Sequence, residues 1–205
     1  MKPTHNKLTL VFIIFLLASL AGCVALPPPG FEKVPNSWSR VSAYGFSVLV
    51  PDAGWLQTKT NYGYAWGQKV GGYETDHAGL TVMKSAPLVD RAAFAAFVKE
   101  KTKLDTDTFR YKDIDSEFND DDRGGLWNIS GHLAFNDTGA ANAGKNGFLH
   151  THTVFRWAMD PHDPERVVTI WYSWRGKDFD GQKFRERSDR FLNSLQREAQ
   201  ATSPR

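Results

Sequence analysis

The chain of 205 residues contains a single cysteine, Cys23. No intramolecular disulfide can form, so the fold must stand on its apolar core. Long hydrophobic runs are missing too. The longest, 8–20, is about a dozen residues, and a membrane-spanning helix needs roughly 20. Charge of one sign is also scarce: 25 Lys and Arg face 23 Asp and Glu, a formal net charge of +2. Nucleic-acid binding needs a concentrated basic surface. Only Arg185, Arg187, Arg190 and Arg197 gather, and they read as a solvated helix face. The Gly-x-Ser-x-Gly elbow of serine hydrolases does not occur. Nor does a phosphate-cradling loop, because neither a lysine nor a helical pattern follows Gly71-Gly72.

What is present begins with export. Lys2 and Lys7 give a cationic entry, 8–20 forms a short apolar core, and small residues follow. The stretch Leu20-Ala21-Gly22-Cys23 resembles the lipobox of bacterial lipoproteins. That resemblance implies removal of residues 1–22 and a diacylglyceryl group on the Cys23 thiol. The expected cofactor list is otherwise empty. Val24 stands where an aspartate would retain such a protein at the inner membrane, which implies the outer membrane, facing the periplasm. Residues 1–22 hold both signal lysines and no acid, so the matured chain is formally neutral. Pro27, Pro28 and Pro29 favour an extended spacer, making 23–39 a lipidated tether. A single domain is expected over 40–197, with a polar tail at 198–205; about 180 residues suffice for one core.

The pattern beyond the tether alternates strands with two helices. Strands are expected over 44–50, 62–70, 78–84, 126–135, 148–159 and 166–174, with one weak strand and a turn in 105–122. A helix is expected over 87–104, with Phe94, Phe97, Val98, Lys101 and Leu104 on one stripe. A second begins near Asp180 or Gly181 and carries Phe184, Ser188, Phe191, Leu192 and Leu195. Consecutive antiparallel strands with separated helices indicate an α+β domain: an antiparallel sheet flanked by two helices.

Two stretches carry a further resemblance. Tyr44-Gly45-Phe46-Ser47-Val48-Leu49-Val50-Pro51 followed by Trp55 resembles the opening strand of the PsbP-like family. The strand over 166–174 and the helix ending Phe191-Leu192-Asn193-Ser194-Leu195 resemble its closing strand and helix. The likeness spans about residues 40–197 and implies an α/β/α sandwich with a non-catalytic accessory role. No residue role transfers with it.

Three groupings could carry chemistry. His150 and His152 are two apart on a strand and share a face. A hairpin placing His132 opposite His150, and Ser130 opposite His152, would make a three-imidazole face suited to zinc or copper; a slip of one residue removes it. Tyr62, Tyr64 and Trp66 alternate on one side of a strand, either as core or as a platform for peptide or glycan. Trp171 and Trp174 fall on opposite strand faces. Asp120-Asp121-Asp122 lacks the spacing of a calcium loop and reads as a solvated acidic turn. The expected function is therefore a non-enzymatic lipoprotein, anchored in the membrane, that binds or helps assemble an envelope protein. The alternative is a small-molecule or metal binder using His132, His150 and His152.

Overall fold

A computed structural model describes residues 30–71, 73–103, 110–140 and 147–198. The signal, Cys23 and its prolines, Leu104, the core of the 136–147 loop and most of the tail lie outside the described residues. Eleven strands and two helices are described. They are β1 (Glu32–Lys33), β2 (Arg40–Ala43), β3 (Phe46–Leu49), β4 (Leu56–Thr60), β5 (Gly63–Gly71), β6 (Glu74–Lys84) and α1 (Arg91–Thr102). There follow β7 (Tyr111–Asp120), β8 (Trp127–Asp137), β9 (Leu149–Met159), β10 (Arg166–Gly176), α2 (Gly181–Leu192) and β11 (Gln196–Arg197). Eight strands form one antiparallel sheet in the order β1-β4-β5-β6-β10-β9-β8-β7, and β11-β3-β2 form a smaller one. The chain is thus an α+β domain built on an antiparallel sheet with two helices.

Register explains why both helices are needed. On β10, Val168, Ile170 and Tyr172 point to one face and Val167, Thr169 and Trp171 to the other. The first face packs with Trp66, Leu80 and Ala158 under Phe191 and Leu192 of α2. Phe46, Val48 and Val50 of the small sheet close the same layer. The second face packs Phe155, Trp157 and Met159 under Phe94 and Val98 of α1. Both helices start on an aspartate cap: Asp90 accepts from the Ala93 amide at 2.7 Å, and Asp180 from Lys183 at 3.0 Å.

Several boundaries shift from expectation. Tyr44 does not begin a strand. Tyr44 and Gly45 have φ of 51° and 84° and form the two-residue turn joining β2 to β3. Two consecutive positive φ values give the hairpin twist that matches its strands. The helix starts at Arg91 rather than at 87, because Asp90 caps it. Strands β1, β2, β4 and β11, all short, were not expected.

Buried carboxylates fasten the periphery. Asp76 on β6 accepts from Gln68 and from Arg187 of α2, each at 3.0 Å. Arg156 on β9 donates to the Leu192 carbonyl at 2.7 Å, to Asn193 at 3.2 Å and to Asp121 at 3.3 Å. Asp137 at the end of β8 takes Arg110 at 2.7 and 2.8 Å and Arg175 at 2.8 Å.

Glycines make room for rings across the strands. Phe155 lies over Gly131, where an added Cβ would meet its ring at 2.7 Å and overlap the Glu117 carbonyl. The backbone contact cannot rotate away, so Gly131→Ala must push β7 off β8. We expect that variant to lose about 2–3 kcal/mol, read as a lower urea midpoint. An unchanged midpoint would show that the β7 edge gives way freely.

Candidate functional site

The described residues offer two sites, near opposite ends of the large sheet. The first centres on β9. His132, His150 and His152 do share one face. Their register differs from expectation: His132 faces Val154, His152 faces Ala134 and His150 faces Asn136. The hairpin closes at the Asp137–Leu149 pair, a register four residues away from the one that would oppose His132 to His150. Asp137 is anchored there by Arg110, Arg175 and the Gly139 amide. An even shift keeps every side chain on its face but separates the three rings.

Each ring has its own company. His132 Nε2 lies 3.1 Å from Asp115 and Nδ1 lies 3.5 Å from Glu117, both on β7. His150 meets Phe148 edge-on at 5.0 Å. His152 stacks on Phe179 with centroids 3.6 Å apart and planes 5° from parallel. Trp174 stands 6.1 Å from His152 and 5.1 Å from Phe179. Burial lowers the His152 pKa first, and the neighbouring His150 and His132 lower it further. Among the described residues, no group of three or more His, Cys, Asp or Glu side chains is placed to hold a metal ion. The arrangement is instead a histidine–aromatic cluster. Phe148 and Phe179 in it are exposed, and Val70 and Tyr73 are exposed at the same end of the sheet. Lys177 sits 4.5 Å over the Tyr73 ring.

The expected aromatic platform is divided. Trp66 is fully buried at 0% exposure and donates to Gln57 at 3.1 Å. Tyr64 is half-buried, stacked on Trp66 with centroids 5.7 Å apart. Tyr62 is 51% exposed, because it occupies the turn between β4 and β5 rather than a strand. Trp171 and Trp174 do point to opposite faces, and Trp171 covers Gly79. The acidic triplet is largely paired: Asp120 and Asp122 bind Arg91 at 3.0 and 2.9 Å, and Asp121 binds Arg123 at 2.7 Å. Two arginines of the last helix are engaged as well, Arg187 with Asp76 and Arg190 3.6 Å over Trp38.

Tyr62 belongs to the second site, a cleft of about 730 Å³ between α1 and the turns of the two sheets. Tyr44, Tyr62, Met83 and Phe97 give it aromatic and apolar walls. Lys84, Lys101 and Arg166 give it three cations, and no described carboxylate lines it. The Tyr44 hydroxyl donates to the Asn61 carbonyl at 2.8 Å, joining the two turns. Sequence reading missed Tyr44, Lys84, Lys101 and Arg166 as neighbours. Gly45 was the available signal, because a glycine between apolar runs permits the positive φ of a hairpin turn.

No protein-family model matches the chain, and no curated protein matches it.

His77, half-buried on β6, is expected to give the domain a pH dependence. Burial, then the charge of Arg175, lowers His77 from 6.5 to about 4. The unfolded chain therefore takes up a proton at a higher pH than the folded one does. Stability is full above the ordinary value of 6.5 and falls as pH drops toward about 4. We expect His77→Gln to flatten the urea midpoint across that window. An unchanged slope in the variant would remove His77 as its source.

Proposed function

We propose that the chain is a lipoprotein anchored through Cys23 to the outer membrane, facing the periplasm, and that it acts by binding an envelope protein rather than by catalysis. The observation that carries the binding role is the histidine–aromatic cluster. Exposed rings backed by a buried Trp174 and a stacked His152 are rigid apolar anchors. Such groups lose little side-chain entropy when a partner covers them. A PsbP-like assignment agrees with the antiparallel sheet, the helices on its two faces, and a closing strand that leads into α2.

The cleft supports the same class of function. Its walls supply recognition chemistry: rings, apolar surface and positive charge. Ser85 lines it, and among the described lining residues no histidine or carboxylate stands to activate it. A second reading, small-molecule or metal binding, draws on one observation: His132, His150 and His152 share a face, and His152 feels the charge of the other two. Elemental analysis of untagged protein decides its metal version, since less than about one-tenth equivalent of zinc or copper ends that version.

The anchor and the partner have separate tests. Mass spectrometry of protein from its native envelope is expected to find a chain starting at Cys23 with a diacylglyceryl mass on its sulfur. An intact Met1 or a free thiol would sink the anchor. For the partner, a photo-crosslinking residue at Phe148 or Phe179 is expected to give a discrete protein adduct in native envelopes. The same residue at Val89, exposed near the start of α1, serves as control. Identical adducts from all three positions would defeat the assignment of the cluster.

A further inference from the structure

We propose that the Tyr44–Tyr62 cleft is a membrane-docking surface, seated on the anionic headgroups of the bilayer that carries the Cys23 anchor. The inference rests on the lipoprotein reading, and three observations carry it.

The first is where the chain enters. β1 pairs antiparallel with β4, Glu32 opposite Gln57 and Lys33 opposite Leu56. Running back from Glu32, the chain heads toward the Thr60 end of β4, where the Asn61–Tyr62 turn rims the cleft. Gly30 lies seven residues after Cys23. At no more than about 3.6 Å each they reach about 25 Å, so a lipid on Cys23 holds this end of the domain close to the bilayer.

The second is charge. Lys84 and Lys101 are exposed on the cleft, and the Lys101 ammonium lies 5.6 Å over the Phe97 ring. Arg166 is partly neutralised by Asp163 at 3.4 Å and donates to the Tyr44 carbonyl at 3.4 Å. Among the described residues no carboxylate pairs with Lys84 or Lys101, so the cleft presents two ammonium groups and a shared guanidinium, on a matured chain whose formal charge is zero. Cations so placed suit an anionic lipid surface.

The third is the rim. Tyr44 and Tyr62 are 59% and 51% exposed, among the most exposed large side chains described. Tyrosine favours the headgroup layer, where its ring and its hydroxyl find different surroundings. The Tyr44 backbone sits at positive φ, a conformation unfavourable for a bulky residue. A smaller residue would make the same turn with less strain, so the ring is held outward at a cost. The histidine–aromatic cluster lies toward the opposite end of the strands, roughly 30 Å away at the rise of a strand. Docking one end leaves the other free to meet a partner.

The test uses the lipidated full chain from its native envelope, reconstituted into neutral phosphatidylcholine vesicles and into vesicles with about one-quarter phosphatidylglycerol. Hydrogen exchange at the Tyr44-Gly45 and Asn61-Tyr62 turns is the readout. We expect exchange there to slow by about fivefold or more on anionic vesicles only. We expect Lys84→Glu combined with Lys101→Glu to abolish the slowing. Equal exchange on both vesicle types overturns docking, while flotation with neutral vesicles still reports an intact anchor. Failure to float with neutral vesicles overturns the anchor instead. Docking is then judged on the anionic vesicles alone, where protected turns uphold it and unprotected turns overturn it.

Discussion

Burial of β10 on both faces is the constraint from which the rest of the architecture follows. A strand in an antiparallel sheet commonly keeps one face wet and alternates accordingly. Here Val167 to Tyr172 offers apolar or ring-bearing side chains at nearly every position. Both faces of the sheet centre must then be covered, and a single helix covers one. α1 serves the Val167 side, and α2 with the small sheet serves the Val168 side. The glycines follow from the same pressure. Trp171 and Phe155 are too large for a filled opposite position, so Gly79 and Gly131 lie beneath them. A helix can then approach a sheet whose rings lie flat.

The second constraint is the lack of cross-links. With one cysteine in the chain, the periphery must be held by other means. Arginine and aspartate do this repeatedly. Asp76 holds α2 through Arg187, Arg156 holds the end of α2 through the Leu192 carbonyl, and Asp160 holds β11 through Arg197. Buried ion pairs of this kind add little net stability, because desolvation offsets most of the attraction. Their value is positional. Each leaves an expensive unpaired charge if its element docks elsewhere, so alternative packings are penalised. Arg110 and Arg175 converge on Asp137 and fix the β8–β9 hairpin in one register.

That register marks where the sequence could be read and where it could not. Alternation identified β8, β9 and β10 and assigned their faces, because a two-residue period survives any even shift. His132, His150 and His152 therefore share a face as expected. Alternation carries no information on which residues stand opposite, and the Asp137 clamp that decides this is a tertiary contact. Tyr62 illustrates a second blind spot. A period of two continues smoothly from Tyr62 to Trp66, yet the strand starts at Gly63. The turn breaks the platform before its first ring, while Trp66 and Tyr64 pack toward Phe191 and the core. The short strands β1 and β11 have two residues each and no periodicity to detect. They exist because an open edge accepts them.

The cleft belongs to the class of features that sequence patterns cannot reach. Tyr44, Tyr62, Lys84, Lys101 and Arg166 come from five separate segments, and their meeting depends on how the small sheet packs against the large one. One end of the problem is in the sequence, the lone thiol of Cys23; the other, a first strand at Glu32–Lys33, emerges only in the fold. The pairing of β1 with β4 joins them, because its direction decides which end of the domain the tether leaves from. Antiparallel pairing sends the chain toward the tyrosine turns; parallel pairing would have sent it toward Trp55. A two-residue strand thus orients the whole domain relative to any membrane that holds Cys23. Such a membrane would meet the Tyr44 and Tyr62 rings, while Phe148, Phe179 and Tyr73 stand exposed toward the other end.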